Sequence, residues 1–176
     1  MDYHRYSGYG LLGVLVFRVY WGVVGGSTAR FTKFVRGPRA ILEYLRAGKK
    51  TTGHNPLGAL SVLALLFLLI AQVSLGLFAV DIDGLESGPL SYLVSFDTGR
   101  ACAKVHAIIF NVLMVAIVLH LLAIGFYWLF KRDNLLSAMI TGNKVLPQAV
   151  HPAISESLPR IAIGVVLACA VVWAVV

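Results

Sequence analysis

The sequence predicts an all-α protein, a transmembrane helical bundle with four spans. Composition points there first: 59% of the 176 residues are hydrophobic and 13% charged, with a mean hydropathy of +0.83, whereas soluble domains carry roughly a quarter charged residues. A 19.0 kDa chain has too little interior to hide that much apolar surface from water, so most of it takes lipid as its solvent. Second, the apolar residues gather in four runs. Third, the charges lie between those runs. Open strands would leave backbone groups unpaired at membrane depth, and no segment alternates in the manner of a barrel strand.

The first run extends from about Gly8 to Thr28 and holds one charge, Arg18; the second, Leu57 to Val80, holds none; the third, Val105 to Phe130, holds none except for two histidines. Each is long enough to cross about 30 Å of hydrocarbon at about 1.5 Å per residue. The fourth, Ile161 to Val176, is a slightly short span that follows Arg160 and the helix-starting Pro159. Between the first two runs, Ile41, Leu42, Tyr44 and Leu45 are set against Arg39, Arg46 and Lys49 near Pro38 to Gly48. That stretch is expected to lie on the membrane surface. The two cysteines, Cys102 and Cys169, stand in apolar company without CxxC or CxxCH spacing. A zinc site, a redox dithiol and covalent c-type haem attachment therefore have no support, and two buried free thiols are expected.

The net charge of +7, from 15 Lys and Arg against 8 Asp and Glu, reports topology and no nucleic-acid surface. Residues 30–54 carry Arg30, Lys33, Arg36, Arg39, Arg46, Lys49 and Lys50 against Glu43 alone, while residues 81–100 carry Asp81, Asp83, Glu86 and Asp97 against Arg100 alone. The positive-inside rule makes the first loop cytoplasmic and the second external. Residues 131–160, with Lys131, Arg132, Lys144 and Arg160, are cytoplasmic on the same count. Both termini then fall outside, although no signal sequence precedes the first span. We therefore expect an upstream helix to be missing.

Ligand-type residues inside a span are functional suspects. His106 and His120 are 14 residues apart on the third run, which is about 40° short of four turns and a rise of about 21 Å. They share one face, one in each half of the bilayer. His4 precedes the first run at its external end and can meet His106 from a facing helix. Two imidazoles placed in that way are what a six-coordinate haem iron needs, and such ligation favours electron transfer over oxygen chemistry. A polar residue at the membrane interface is the plainer account of His4. Arg18, also 14 residues beyond His4, faces the depth of His120, where a haem propionate would meet its charge; snorkelling or a bond to backbone carbonyls is the alternative. His54 precedes Asn55 and Pro56 at the start of the second span, a capped helix entry. His151 lies in a polar loop and receives no role.

The stretches HRYSGYG (His4 to Gly10), FRVYWGVVGGSTARFTKF (Phe17 to Phe34), GHNPLGAL (Gly53 to Leu60), GLF (Gly76 to Phe78), the helix of His106 and His120, and MITG (Met139 to Gly142) together resemble the bacterial cytochrome b561 family. The family is similar in turn to the cytochrome b subunits of nickel-iron hydrogenases and formate dehydrogenases. The resemblance covers about residues 3–142. It implies a bundle with two b-type haems that moves electrons between a periplasmic donor, a c-type cytochrome or a hydrogenase-like enzyme, and the quinone pool of the bacterial inner membrane. Of the family's four axial histidines, His4 matches the second and His106 and His120 the last two. The first belongs to an opening helix that this sequence lacks, so the inner haem has one ligand here, and the sequence is expected to start at an internal methionine. His54 gains from the resemblance a propionate or quinone-head contact.

These readings make residues 1–142 a haem-binding membrane domain and residues 143–176 a cytoplasmic loop with a last transmembrane helix. The expected function is electron transfer through bis-histidine haem b, with Arg18 neutralising a propionate. A haem-free membrane anchor or assembly subunit for a periplasmic redox enzyme is the alternative. A transporter is disfavoured, because no span is broken at its midpoint and none holds an acidic residue.

Overall fold

The computed structural model describes residues 2–26, 29–35, 37, 39, 42, 46, 56–83, 85–131 and 157–176. His54, most of the surface stretch near Pro38 to Gly48, His151 and nearly all of 131–160 lie outside the described residues. Helix α1 spans Asp2–Val24, α2 is a single turn at Phe31–Phe34, α3 spans Pro56–Phe78, α4 spans Phe96–Lys131 and α5 spans Leu158–Val175. Four of these, all but α2, are long and apolar enough to cross a membrane. Among the described residues the only strand-like feature is an isolated bridge between Val80 and Ser87.

Helix boundaries follow local chemistry. No residue between Asp2 and Gly8 breaks a helix, so α1 starts earlier than its apolar run, with Asp2 in the first turn where the helix dipole favours an anion. It stops before Gly25 and Gly26, and the Arg30 side chain donates from Nε to the Gly25 carbonyl at 2.7 Å, capping an end that would otherwise be left open. Helix α4 also begins earlier than expected. The Ser95 hydroxyl accepts from the Thr98 backbone N–H at 3.3 Å and lies 2.9 Å from the Thr98 hydroxyl, and Asp97 sits in the first turn. At 36 residues, α4 is about 54 Å long and overshoots the bilayer. Helix α5 starts with Pro159 in its first two positions, where a missing N–H costs nothing.

The helices form an open arrangement. Helix α4 packs on α3, α5 packs on α1, and α1 leans on α3, while α1 and α4 scarcely touch each other. Small residues set the α1–α5 contact: Gly164 is buried, and a Cβ there would come within 2.7 Å of the Tyr20 ring, while one at Gly13 would reach Val172 at 3.4 Å. Such close approach is how helices associate in lipid, where hydrophobicity gives no drive. Only 6% of the apolar window of α4 is buried within the chain, so its outer face meets lipid or another protein. Asn111 on that helix turns its amide back to the Ala107 carbonyl at 2.9 Å, which satisfies one N–H locally. The cysteines are free, but they are not buried as expected: Cys102 is half-buried and Cys169 exposed. An apolar span with so little buried surface leaves a thiol facing lipid as readily as a valine.

The loop between α3 and α4 folds back over the end of α3. Leu90 donates to the Leu77 carbonyl at 2.9 Å, Gly88 to Ala79 at 2.7 Å, Asp81 to Glu86 at 2.9 Å and Val80 to Gly99 at 3.1 Å. Gly88 has to be glycine, since a Cβ there would collide with the carbonyls of Gly76 and Leu77. Arg5 approaches Glu86 at 3.7 Å, bringing the first turn of α1 against this loop.

Candidate functional site

Two polar stations lie along the α3–α4 contact, and α3 supplies both. Ser61 and Gln72 are 11 residues apart, about 20° beyond three turns, so they share a face. Because α3 and α4 are antiparallel, Gln72 meets His106 and Ser61 meets His120.

At the loop end, His106 Nδ1 lies 2.9 Å from the Gln72 backbone carbonyl, and His106 Nε2 lies 3.0 Å from the Gln72 side-chain Nε2. A carbonyl can only accept, so Nδ1 carries the proton and donates, and Nε2 accepts from the amide. Both ring nitrogens are thus engaged by Gln72, and the Nε2 lone pair is taken by its amide. Gly76 makes it possible, because a Cβ there would sit 3.0 Å from the imidazole Cε1. Gln72 is 8% exposed, and its Oε1 is buried with no hydrogen-bond partner. A buried carbonyl oxygen in that condition costs about 1–3 kcal/mol, so the amide orientation at His106 is a poor resting place for Gln72. Opposite stands His4 on α1. The two ring centres are 6.0 Å apart and the ring planes are 80° to each other. Two imidazoles on opposite sides of one metal ion, each nitrogen about 2 Å from it, have ring centres about 6 Å apart.

At the far end, the Ser61 hydroxyl donates to the Gly58 carbonyl at 2.9 Å and lies 3.0 Å from His120 Nδ1. No second imidazole faces His120 among the described residues. Arg18, on α1, is half-buried, with its guanidinium carbon 5.1 Å from the centre of the Phe31 ring. That ring packs where Gly22 has no side chain; a Cβ at Gly22 would occupy the ring's own space. The Arg18 Nη1 is buried and has no hydrogen-bond partner. An aromatic face does not complete a guanidinium with five donors, so the Nη1 nitrogen awaits an acceptor.

The structure therefore brings His4 and His106 together, sets His120 at the same face of α4 and leaves a cation with an unused donor on α1. It also places two residues that the sequence reading passed over, Gln72 and Ser61. Among the described residues no three His, Cys, Asp or Glu side chains gather as a metal cluster.

Four helices long and apolar enough to cross a membrane, with two imidazoles facing each other between α1 and α4, define a membrane helical bundle. The family model for prokaryotic cytochrome b561 matches residues 1–142, and the chain belongs to that family. It is thus a multi-pass inner-membrane protein of a b-type cytochrome family that serves electron transfer, with b-type haem the cofactor typical of the family. No curated protein and no solved structure matches the chain.

Proposed function

We propose that this chain transfers electrons between a periplasmic redox partner and the quinone pool through haem b, with His4 and His106 as the axial pair of the outer haem. The observation that carries the reading is the facing of these two rings at 6.0 Å, with His106 Nδ1 tied to a backbone carbonyl. A ligating histidine almost always donates its other ring N–H in this manner, which fixes both tautomer and orientation. Gln72 is the residue that has to give way, and its unpartnered Oε1 is the reason it can. The slot between α1 and α4, helices that both lean on α3 and barely touch each other, supports a flat group between the two rings.

A haem iron bound there supplies a one-electron couple. The chain's own residues orient it, keep the sixth position closed and balance its charge. Arg18, with its buried free donor, is the partner we assign to a propionate. His120 marks the inner haem position, its second ligand lying outside the described residues. We assign His54 a propionate or quinone-head contact. In this reading residues 30–54 and 131–160 are cytoplasmic and residues 81–100 periplasmic. Residues 1–142 form the haem-binding unit, and 143–176 add a cytoplasmic loop and α5. The acidic external loop is the face for a c-type cytochrome or hydrogenase-like partner.

One observation favours the rival, a haem-free anchor or assembly subunit: both histidines on α4 already have hydrogen-bond partners on α3. A pyridine haemochrome assay on the purified chain separates the two. The proposal expects at least one haem b per chain, with the outer haem lost in His106→Ala; a folded chain without haem would count against the proposal.

A further inference from the structure

We infer that Ser61 is a positioning residue that fixes the proton of His120 on Nδ1 and so presents Nε2 as the metal-facing nitrogen. The inference rests on the reading of His120 as the inner haem position. Ser61 Oγ spends its single proton on the Gly58 carbonyl, 2.9 Å away. An oxygen whose proton is committed can act only as an acceptor towards His120 Nδ1 at 3.0 Å, so the imidazole N–H must be on Nδ1. The relay is directional from end to end, from imidazole N–H to hydroxyl to helix carbonyl.

The same tautomer arises at His106, where a backbone carbonyl takes the Nδ1 proton. No side-chain substitution removes that carbonyl. At His120 the acceptor is a side chain, so the inner station can be cut by replacing one hydroxyl. A hydrogen-bonded Nδ1–H makes Nε2 a better electron donor and favours the oxidised metal; loss of such a partner typically costs 10–100-fold in affinity. Ser61 touches no cofactor in this account and acts only through His120.

The test uses the full chain in detergent with Ser61→Thr, which keeps the hydroxyl, and Ser61→Val, which has the same shape without it. Helical content checks folding of both. Nitrogen-resolved NMR of His120, with any haem reduced to its diamagnetic form, reads the tautomer. Redox titration reads the inner haem. The wild type and Ser61→Thr should carry the proton on Nδ1 alone. In Ser61→Val that proton should exchange at least ten-fold faster, and the inner haem should be lost or its ferric-to-ferrous affinity ratio should fall about ten-fold, equivalent to about 59 mV for one electron. A Ser61→Val chain equal to wild type in both readouts overturns the role of Ser61. If the wild type binds no haem yet the His120 proton still depends on the hydroxyl, the haem reading falls and the positioning role stands. If haem is present and the proton ignores Ser61, only the positioning role falls.

Discussion

The two ends of the α3–α4 pair hold their histidines by the same nitrogen and differ in everything opposite. At the loop end, His106 donates to a backbone carbonyl, and His4 faces it across a gap that α1 and α4 leave open. At the far end, His120 Nδ1 lies 3.0 Å from a hydroxyl, with no facing imidazole among the described residues and a half-buried guanidinium on α1. One end is a pair of facing rings with an amide beside them, and the other is a single ring, with a cation on α1. Helix α3 acts as a ruler for both: its polar residues repeat at 11 and the histidines of α4 at 14, and each spacing returns to nearly the same face of its helix.

The comparison breaks most sharply by removing a ring. His4→Ala or His106→Ala should each abolish haem binding at the loop end, whereas His120→Ala should leave it intact; haem content of the three purified variants decides. A smaller effect is expected from Gly76→Val. Its added atoms press on the His106 ring 3.0 Å away, and overpacking of this kind costs about 1–3 kcal/mol, so occupancy of the loop-end site should fall by about ten-fold or more under haem titration while the far end is spared. Arg18→Leu sharpens the other side. It should shift the potential of the inner haem or lose it without altering the outer one, and an unchanged potential would argue that the guanidinium has no propionate to meet. The smallest change belongs to Arg5→Ala. Its pair with Glu86 is exposed and 3.7 Å long, so thermal stability should move by no more than about 1 kcal/mol.

Much of this was legible in the sequence because it rests on period and charge. Four apolar runs gave the four spans, and a repeat of 14 put His106 and His120 on one face. The start of α4 was not read, since Asp97, Arg100 and Lys104 look like loop; Ser95 followed by Thr98, with Asp97 between them, was the available sign of a capped helix. Gln72 and Ser61 carry no charge and no ring, so neither stands out in a span read for ionisable or ligand-type residues. A lone amide in a span without charge was the signal, and the matching face of Ser61 was its confirmation. What no sequence pattern carries is the direction of a hydrogen bond. Only the packed helices show that Nδ1 of both histidines sits against a group on α3.

The facing of His4 and His106 is the central claim, and low-temperature electron paramagnetic resonance of the oxidised chain, with haem counted in the same sample, tests it most directly. The account predicts a low-spin ferric signal with at least one haem b per chain, the outer haem's share of it lost in His4→Ala. A low-spin signal that survives His4→Ala unchanged would contradict it, because the iron would then take its sixth ligand from somewhere other than α1.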